Sequence, residues 1–274
     1  MMDRPPHAGT GPPTIGVFDS GFGGLTVLRE LRKVLPGARY HYFGDTAHLP
    51  YGAKSVRTVA KYAIASAHFL EQHGIEMLVV ACNTATALAL DDIRAAVKVP
   101  VIGVVEPGSE RAAQISKTRK VAVVATEATV ASHAYRKALT RLGLEATEKA
   151  CPLFVPLVEE GWVEHPVTEQ VAHIYIDQVF RDGARETDVL LLGCTHYPLI
   201  RPLLRRVVPE GVEIVDSAEA TAAQVATLLG PECGRQGSGS LRCYATDSVE
   251  KFRRLGEKFL GGAIESIELV DIEK

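Results

Sequence analysis

Two cysteines stand in matching surroundings. Cys82 lies in VVACNTAT and Cys194 in LLGCTHYP, each after a Val- or Leu-rich run and before small polar residues: Asn83 and Thr84 in one copy, Thr195 and His196 in the other. The apolar run reads as a buried strand and the polar pair as the start of a helix. A lone cysteine at such a place is most often a small buried hydrophobe. A repeated one, beside helix amides able to lower a thiol pKa, reads as a pair of acid/base or nucleophilic thiols. At the carboxyl ends of parallel strands, both would face the crevice where open α/β sheets take their ligands. Cys151, Cys233 and Cys243 lack this context and read as structural.

Asp19 and Ser20, in VFDSGFGG, mark another passage from strand to glycine-rich turn. Such residues commonly cap helices. Because strand ends of one parallel sheet share an edge, a capping role and a place in the crevice are compatible. His196 can likewise cap a helix or, two residues after Cys194, stabilise a thiolate or shuttle a proton. No second His or carboxylate stands at ligand spacing around it, so no metal is expected. GFGGLT at 21–26 has Thr26 where a dinucleotide fingerprint has its third Gly, and GAKS at 52–55 separates Gly from Lys where a P-loop joins them. No G-x-S-x-G elbow occurs either.

The elements that must position these groups are short strands alternating with stretches of helical period, which predicts an α/β fold with mainly parallel sheets flanked by helices. The expected strands are TIGVF (14–18), RYHYF (39–43), MLVVA (77–81), VIGVV (101–105), VAVVA (121–125), VLLLG (189–193) and EIVD (213–216). Leu25, Leu28, Leu31 and Leu35 mark one helical face. Val56, Ala60, Ile64, Ala67 and Leu70 mark a second, ending before Gly74. The strand-then-polar-turn pattern recurs at VFDSG, MLVVACNT, VAVVATEAT and VLLLGCTH, which suggests two similar lobes. The Pro- and Gly-bearing residues 1–13 read as a flexible tail.

Composition sets outer limits. The 274 residues are 46% hydrophobic and 23% charged with a net charge of −3, so there is no overall basic excess for nucleic acid and none is expected as partner. No apolar run reaches the ~18 residues of a membrane span, and the first residues lack the apolar core of a signal peptide. A cytoplasmic protein with no membrane partner is expected. Five cysteines without a C-x-x-C are expected to be reduced thiols.

Together, FDSGFGGL (18–25), FGDTAHLPYG (43–52), VVACNTAT (79–86), GVVEPG (103–108), CPLFVPLVEEG (151–161), LLGCTHYPL (191–199) and VDSA (215–218) resemble the glutamate racemase family of the aspartate/glutamate racemase superfamily. FDSGFGG, ACNTA and GCTHYP carry the specificity, and the stretches follow family order along nearly the whole chain. The resemblance implies two α/β lobes facing across a cleft, residues 14–99 and 212–274 forming the first and 100–211 the second. It implies Cys82 and Cys194 as acid/base residues, assisted by Asp19, His196 and Glu159. It implies glutamate contacts at Asp19, Ser20, Tyr51, Gly52, Asn83, Thr84, Thr126, Thr195 and His196. Ala125 stands where the family more often has Gly. The implied activity is cofactor-independent interconversion of L- and D-glutamate, supplying D-glutamate for peptidoglycan synthesis, with Cys82 serving the D form and Cys194 the L form.

The chemistry fits the residues. Inverting an α-carbon without a cofactor means removing a proton from one face and delivering another to the opposite face, which two facing thiols can share. Donors at strand ends and helix amino termini would stabilise charge developing on the α-carboxylate. Asp19 could pair with the substrate ammonium or move a proton to Cys82. Competing readings are an aspartate or hydantoin racemase of the same superfamily, a dithiol redox sensor, and an amino-acid-binding regulator. Oligomeric state is left open, a homodimer included.

Overall fold

The computed structural model describes residues 11–181, 186–230, 233–234 and 237–272. Most of the expected tail therefore lies outside the described residues, although Pro13 already accepts a backbone hydrogen bond from Arg39. Ten strands are described: β1 (Thr14–Asp19), β2 (Arg39–Gly44), β3 (Met77–Val80), β4 (Val101–Gly103), β5 (Lys120–Ala125), β6 (Glu145–Ala150), β7 (Val189–Gly193), β8 (Glu213–Asp216), β9 (Ser240–Ala245) and β10 (Ile267–Leu269). They form a six-stranded sheet in the order β10-β9-β2-β1-β3-β4 and a four-stranded sheet in the order β6-β5-β7-β8. Every pairing is parallel.

β1, β3 and β7 are buried along their whole length, as strands covered by helices on both faces must be, and this is why β3, β7 and the Ile15–Phe18 stretch of β1 read as apolar runs. The helix Leu25–Val34 buries Leu25, Leu28 and Leu31, with Leu35 closing the stripe. Each such leucine is worth about 2 kcal/mol on burial, so packing rather than propensity holds the helix. It lies against Ser217–Leu229, the helix that leaves β8, and thereby ties the two sheets together. One core runs through both, from Val17 and Met77 in the first sheet to Val124 and Leu192 in the second.

Several expectations are corrected. β4 pairs with β3 and so belongs to the first sheet, while β8 pairs with β7 and belongs to the second. The chain thus changes sheets after Gly103 and after Asp216, later than the 99/100 and 211/212 boundaries, because strand edges and not motif positions decide membership. VIGVV stops as a strand at Gly103, and Val105 opens the helix Val105–Ile115. In the helix Val56–Gln72 the buried residues are Val59, Ala63, Ser66, Ala67 and Leu70, whereas Val56 is 54% exposed. Ser55 caps this helix by accepting from the Thr58 amide at 3.3 Å, which starts it at Val56 and turns that residue outward. Among the described residues no helix is long and apolar enough to cross a membrane.

Candidate active site

Parallel pairing puts the chemistry-bearing residues at strand ends. Phe18 pairs with Val80 and Ala125 with Gly193, so Asp19 emerges near Cys82 and Thr126 near Cys194. Cys82 is the N-cap of the helix Asn83–Ala96, and its sulfur accepts from the Ala85 amide at 3.4 Å. Its Sγ lies 3.6 Å from Ser20 Oγ. Cys194 follows β7 directly, before the 3-10 turn Tyr197–Ile200. Both are nearly sealed from solvent, 5% and 7% exposed, and all five cysteines are free thiols.

Electrostatics departs from the expectation of lowered thiol pKa values. Burial pushes Cys82 up to about 12, with the Asp19 charge adding to it and the Ala85 amide and Ser20 only partly offsetting it. Burial raises Cys194 as well, and the neighbouring Cys82 and Asp19 charges add to that rise. The Cys82 charge is thus felt at Cys194 across the site. A helix amino end counts for less here than desolvation of the charge. Burial also raises Asp19, against the pull of His196, the Gly21 and Gly24 amides and the Thr195 hydroxyl. Replacing Asp19 by Asn should move the pH midpoint of Cys82 alkylation downward by on the order of one unit, since a like charge is removed. An unchanged midpoint, read by mass spectrometry of the labelled peptide, would mean that burial alone sets it.

Glycines let the lobes meet. A Cβ on Gly24 would stand 2.6 Å from that of Asp19 and 2.9 Å from that of Ala81. One on Gly23 would come within 2.6 Å of His196 Nδ1 and collide with Thr195 Oγ1. The Thr26 hydroxyl donates across the same junction to the Thr195 carbonyl at 3.3 Å. On the opposite side Gly52 packs on Thr126, where a Cβ would meet the threonine's at 2.8 Å. The hydroxyls of Thr84, Thr126 and Thr129 bond one another at 2.9–3.2 Å. Ala125 before Thr126 leaves this cluster intact.

His196, Glu159 and Lys251 stand in a row beside Cys194. His196 Nε2 lies 3.4 Å from Glu159 Oε1, outside hydrogen-bond geometry, and Glu159 Oε2 receives Lys251 Nζ at 3.1 Å. Burial would raise the Glu159 carboxyl, but His196 and Lys251 outweigh it and hold it below its ordinary value. Phe22 and Phe259 flank the imidazole. Glu160 is exposed, so Glu159 is the carboxylate that reaches the site. The Tyr51 phenol donates to Asp45 Oδ2 at 2.6 Å.

Three side-chain polar atoms among the described residues are buried without a partner: Asp19 Oδ1, Asn83 Oδ1 and His196 Nε2. Buried polar groups are normally satisfied, and here the exceptions converge beside the two thiols, as in a site built to receive a polar ligand. Gly23, Gly24, Tyr135 and Lys251, and the contact that Thr26 makes with Thr195, are not among the site residues that the sequence points to. The glycine-rich turn signalled close approach for the first two; Lys251 reaches Glu159 from 92 positions away, without a local signal.

A family model described as Asp/Glu/Hydantoin racemase matches residues 23–225. A glutamate racemase of Koribacter versatilis is 58% identical over 95% of this chain and 98% of its own. The crystal structure of Francisella tularensis glutamate racemase in complex with D-glutamate superposes with a TM-score of 0.88 at 35% identity, covering 96% of this chain and 98% of that one. That of the Thermus thermophilus enzyme in complex with β-chloro-D-alanine gives 0.85 at 43% identity, with the same coverage.

Proposed function

We propose a two-thiol mechanism for this chain, which belongs to the Asp/Glu/hydantoin racemase family and, as a glutamate racemase, interconverts L- and D-glutamate. The observation that carries the mechanism is the pair of sealed thiols at the ends of β3 and β7, with the three unpartnered polar atoms gathered around them. From L-glutamate, the Cys194 thiolate takes the α-proton and the Cys82 thiol then delivers its own to the opposite face. The products are D-glutamate, a Cys194 thiol and a Cys82 thiolate. Resetting the two protons falls to Asp19 beside Cys82 and to His196, backed by Glu159, beside Cys194.

The raised thiol pKa values favour this chemistry. A thiolate that is costly to form is a stronger base toward a weakly acidic α-carbon. The cost is lowered when a substrate ammonium enters, because an opposite charge nearby stabilises the thiolate. Asp19 and Asn83 present unpartnered oxygens suited to that ammonium. The Thr84, Thr126 and Thr195 hydroxyls, with Ser20 and the amides opening the helix Asn83–Ala96, suit the carboxylates, and gain most where charge grows in the transition state. The Gly52 turn closes the site. We place the reaction in the cytoplasm, as a source of D-glutamate for peptidoglycan.

Purified protein given either enantiomer of glutamate and no added cofactor should bring the optical signal to zero, by polarimetry or chiral chromatography. A persistent enantiomeric excess would overturn the mechanism, and inversion of aspartate in preference to glutamate would overturn the substrate.

A further inference from the structure

Tyr135 is fully buried, and the two-thiol reaction does not use it. It lies on the helix Ala134–Arg141, beside the second sheet. Its hydroxyl accepts from Asn83 Nδ2 at 2.7 Å, across the junction between the lobes, and the Ser217 side chain lies close enough to favour its charged form. Its ring covers Gly193, where a Cβ would come within 2.9 Å of Cε2. One side chain thus holds the residue that follows Cys82 and covers the residue that precedes Cys194. Burial raises the phenol well above its ordinary value, so it stays a neutral hydroxyl over the working range.

The consequence lies in the Asn83 amide, which has a donor end and an acceptor end of nearly the same shape. With Nδ2 given to Tyr135, Oδ1 is left as a buried acceptor without a partner. We propose that Tyr135 is a positioning residue that fixes the Asn83 amide with its oxygen toward the substrate ammonium. Without the hydroxyl the amide is free to turn, and its NH₂ end would then repel the ammonium it should bind. This rests on the glutamate-racemising reading above and names how that site recognises the amino group.

Tyr135→Phe keeps the ring over Gly193 and deletes only the hydroxyl. The expected result is a KM for both enantiomers raised about tenfold with kcat changed less than threefold, the signature of binding shared by ground and transition states. Glutarate, the same dicarboxylate without the amino group, should inhibit the variant as well as it inhibits the parent. In an Asn83→Asp background both ends of the side chain are acceptors, so adding Tyr135→Phe should leave the ratio of glutamate KM to glutarate inhibition constant unmoved. Parallel weakening of glutamate and glutarate would show a loosened cleft and overturn the proposal. So would a loss confined to kcat, an unchanged KM, or the same loss in the Asn83→Asp background. Failure of the parent protein to racemise glutamate would instead overturn the reading on which the proposal rests.

Discussion

Replacing Cys82 or Cys194 by serine should each lower racemisation by a factor on the order of 10³ or more and leave the chain folded, because a hydroxyl is a far weaker acid and base than a thiol. Both sulfurs sit at strand ends among side chains that a serine oxygen does not disturb in volume, and neither is part of a disulfide. Each variant keeps one thiol on one face. It should therefore still exchange the α-hydrogen of one enantiomer with D₂O while failing to invert it. With Cys82 serving D-glutamate and Cys194 serving L-glutamate, Cys194→Ser should exchange the D form and Cys82→Ser the L form. Proton NMR of each enantiomer in D₂O reads the outcome directly. Near-normal turnover by either folded variant would sink the two-thiol mechanism, and a reversed preference would sink only the assignment of faces.

The site's frame was legible because its strands are the buried ones. β3 and β7 carry no polar side chain and β1 is apolar from Ile15 to Phe18, and the residues that end these runs, Asp19, Cys82 and Cys194, are where chemistry reads from the sequence. β6 was not legible: EATEKA is an edge strand, half-buried, with charged or hydroxyl side chains at most positions and no clean alternation. β9 and β10 depend on distant partners, β9 on the outer edge of β2, and neither SLRCYA nor IEL carries a run long enough to stand out. The direction of the thiol pKa shifts is hidden from the sequence for a related reason. Helix amides are readable from local sequence, whereas burial of Cys82 under both lobes is a property of the assembled chain, and burial wins. Tyr135 and Lys251 were invisible likewise, since each acts on a residue more than fifty positions away.

Replacing His196 by Asn should lower kcat/KM by a factor on the order of 10² to 10³, by removing the group that sits between Glu159 and Thr195 beside Cys194. The loss must be equal in the two directions, because enantiomers in water have an equilibrium constant of unity and no substitution can change it. Asymmetry appears instead in which proton transfer limits the rate. If the Cys194 step becomes slow, α-deuterated L-glutamate carries its deuterium into that step and should show a larger primary isotope effect than in the parent. α-Deuterated D-glutamate surrenders its deuterium to Cys82 before the slow step and should show a smaller one. Asp19→Asn, acting beside Cys82, should produce the opposite pattern. Glu159→Gln should follow the His196 variant in direction but fall less, about tenfold, since Glu159 acts on the imidazole rather than on the thiol. Isotope effects that shift together in both directions would mean that His196 serves ligand binding in general, and that Glu159 acting on it does not single out Cys194.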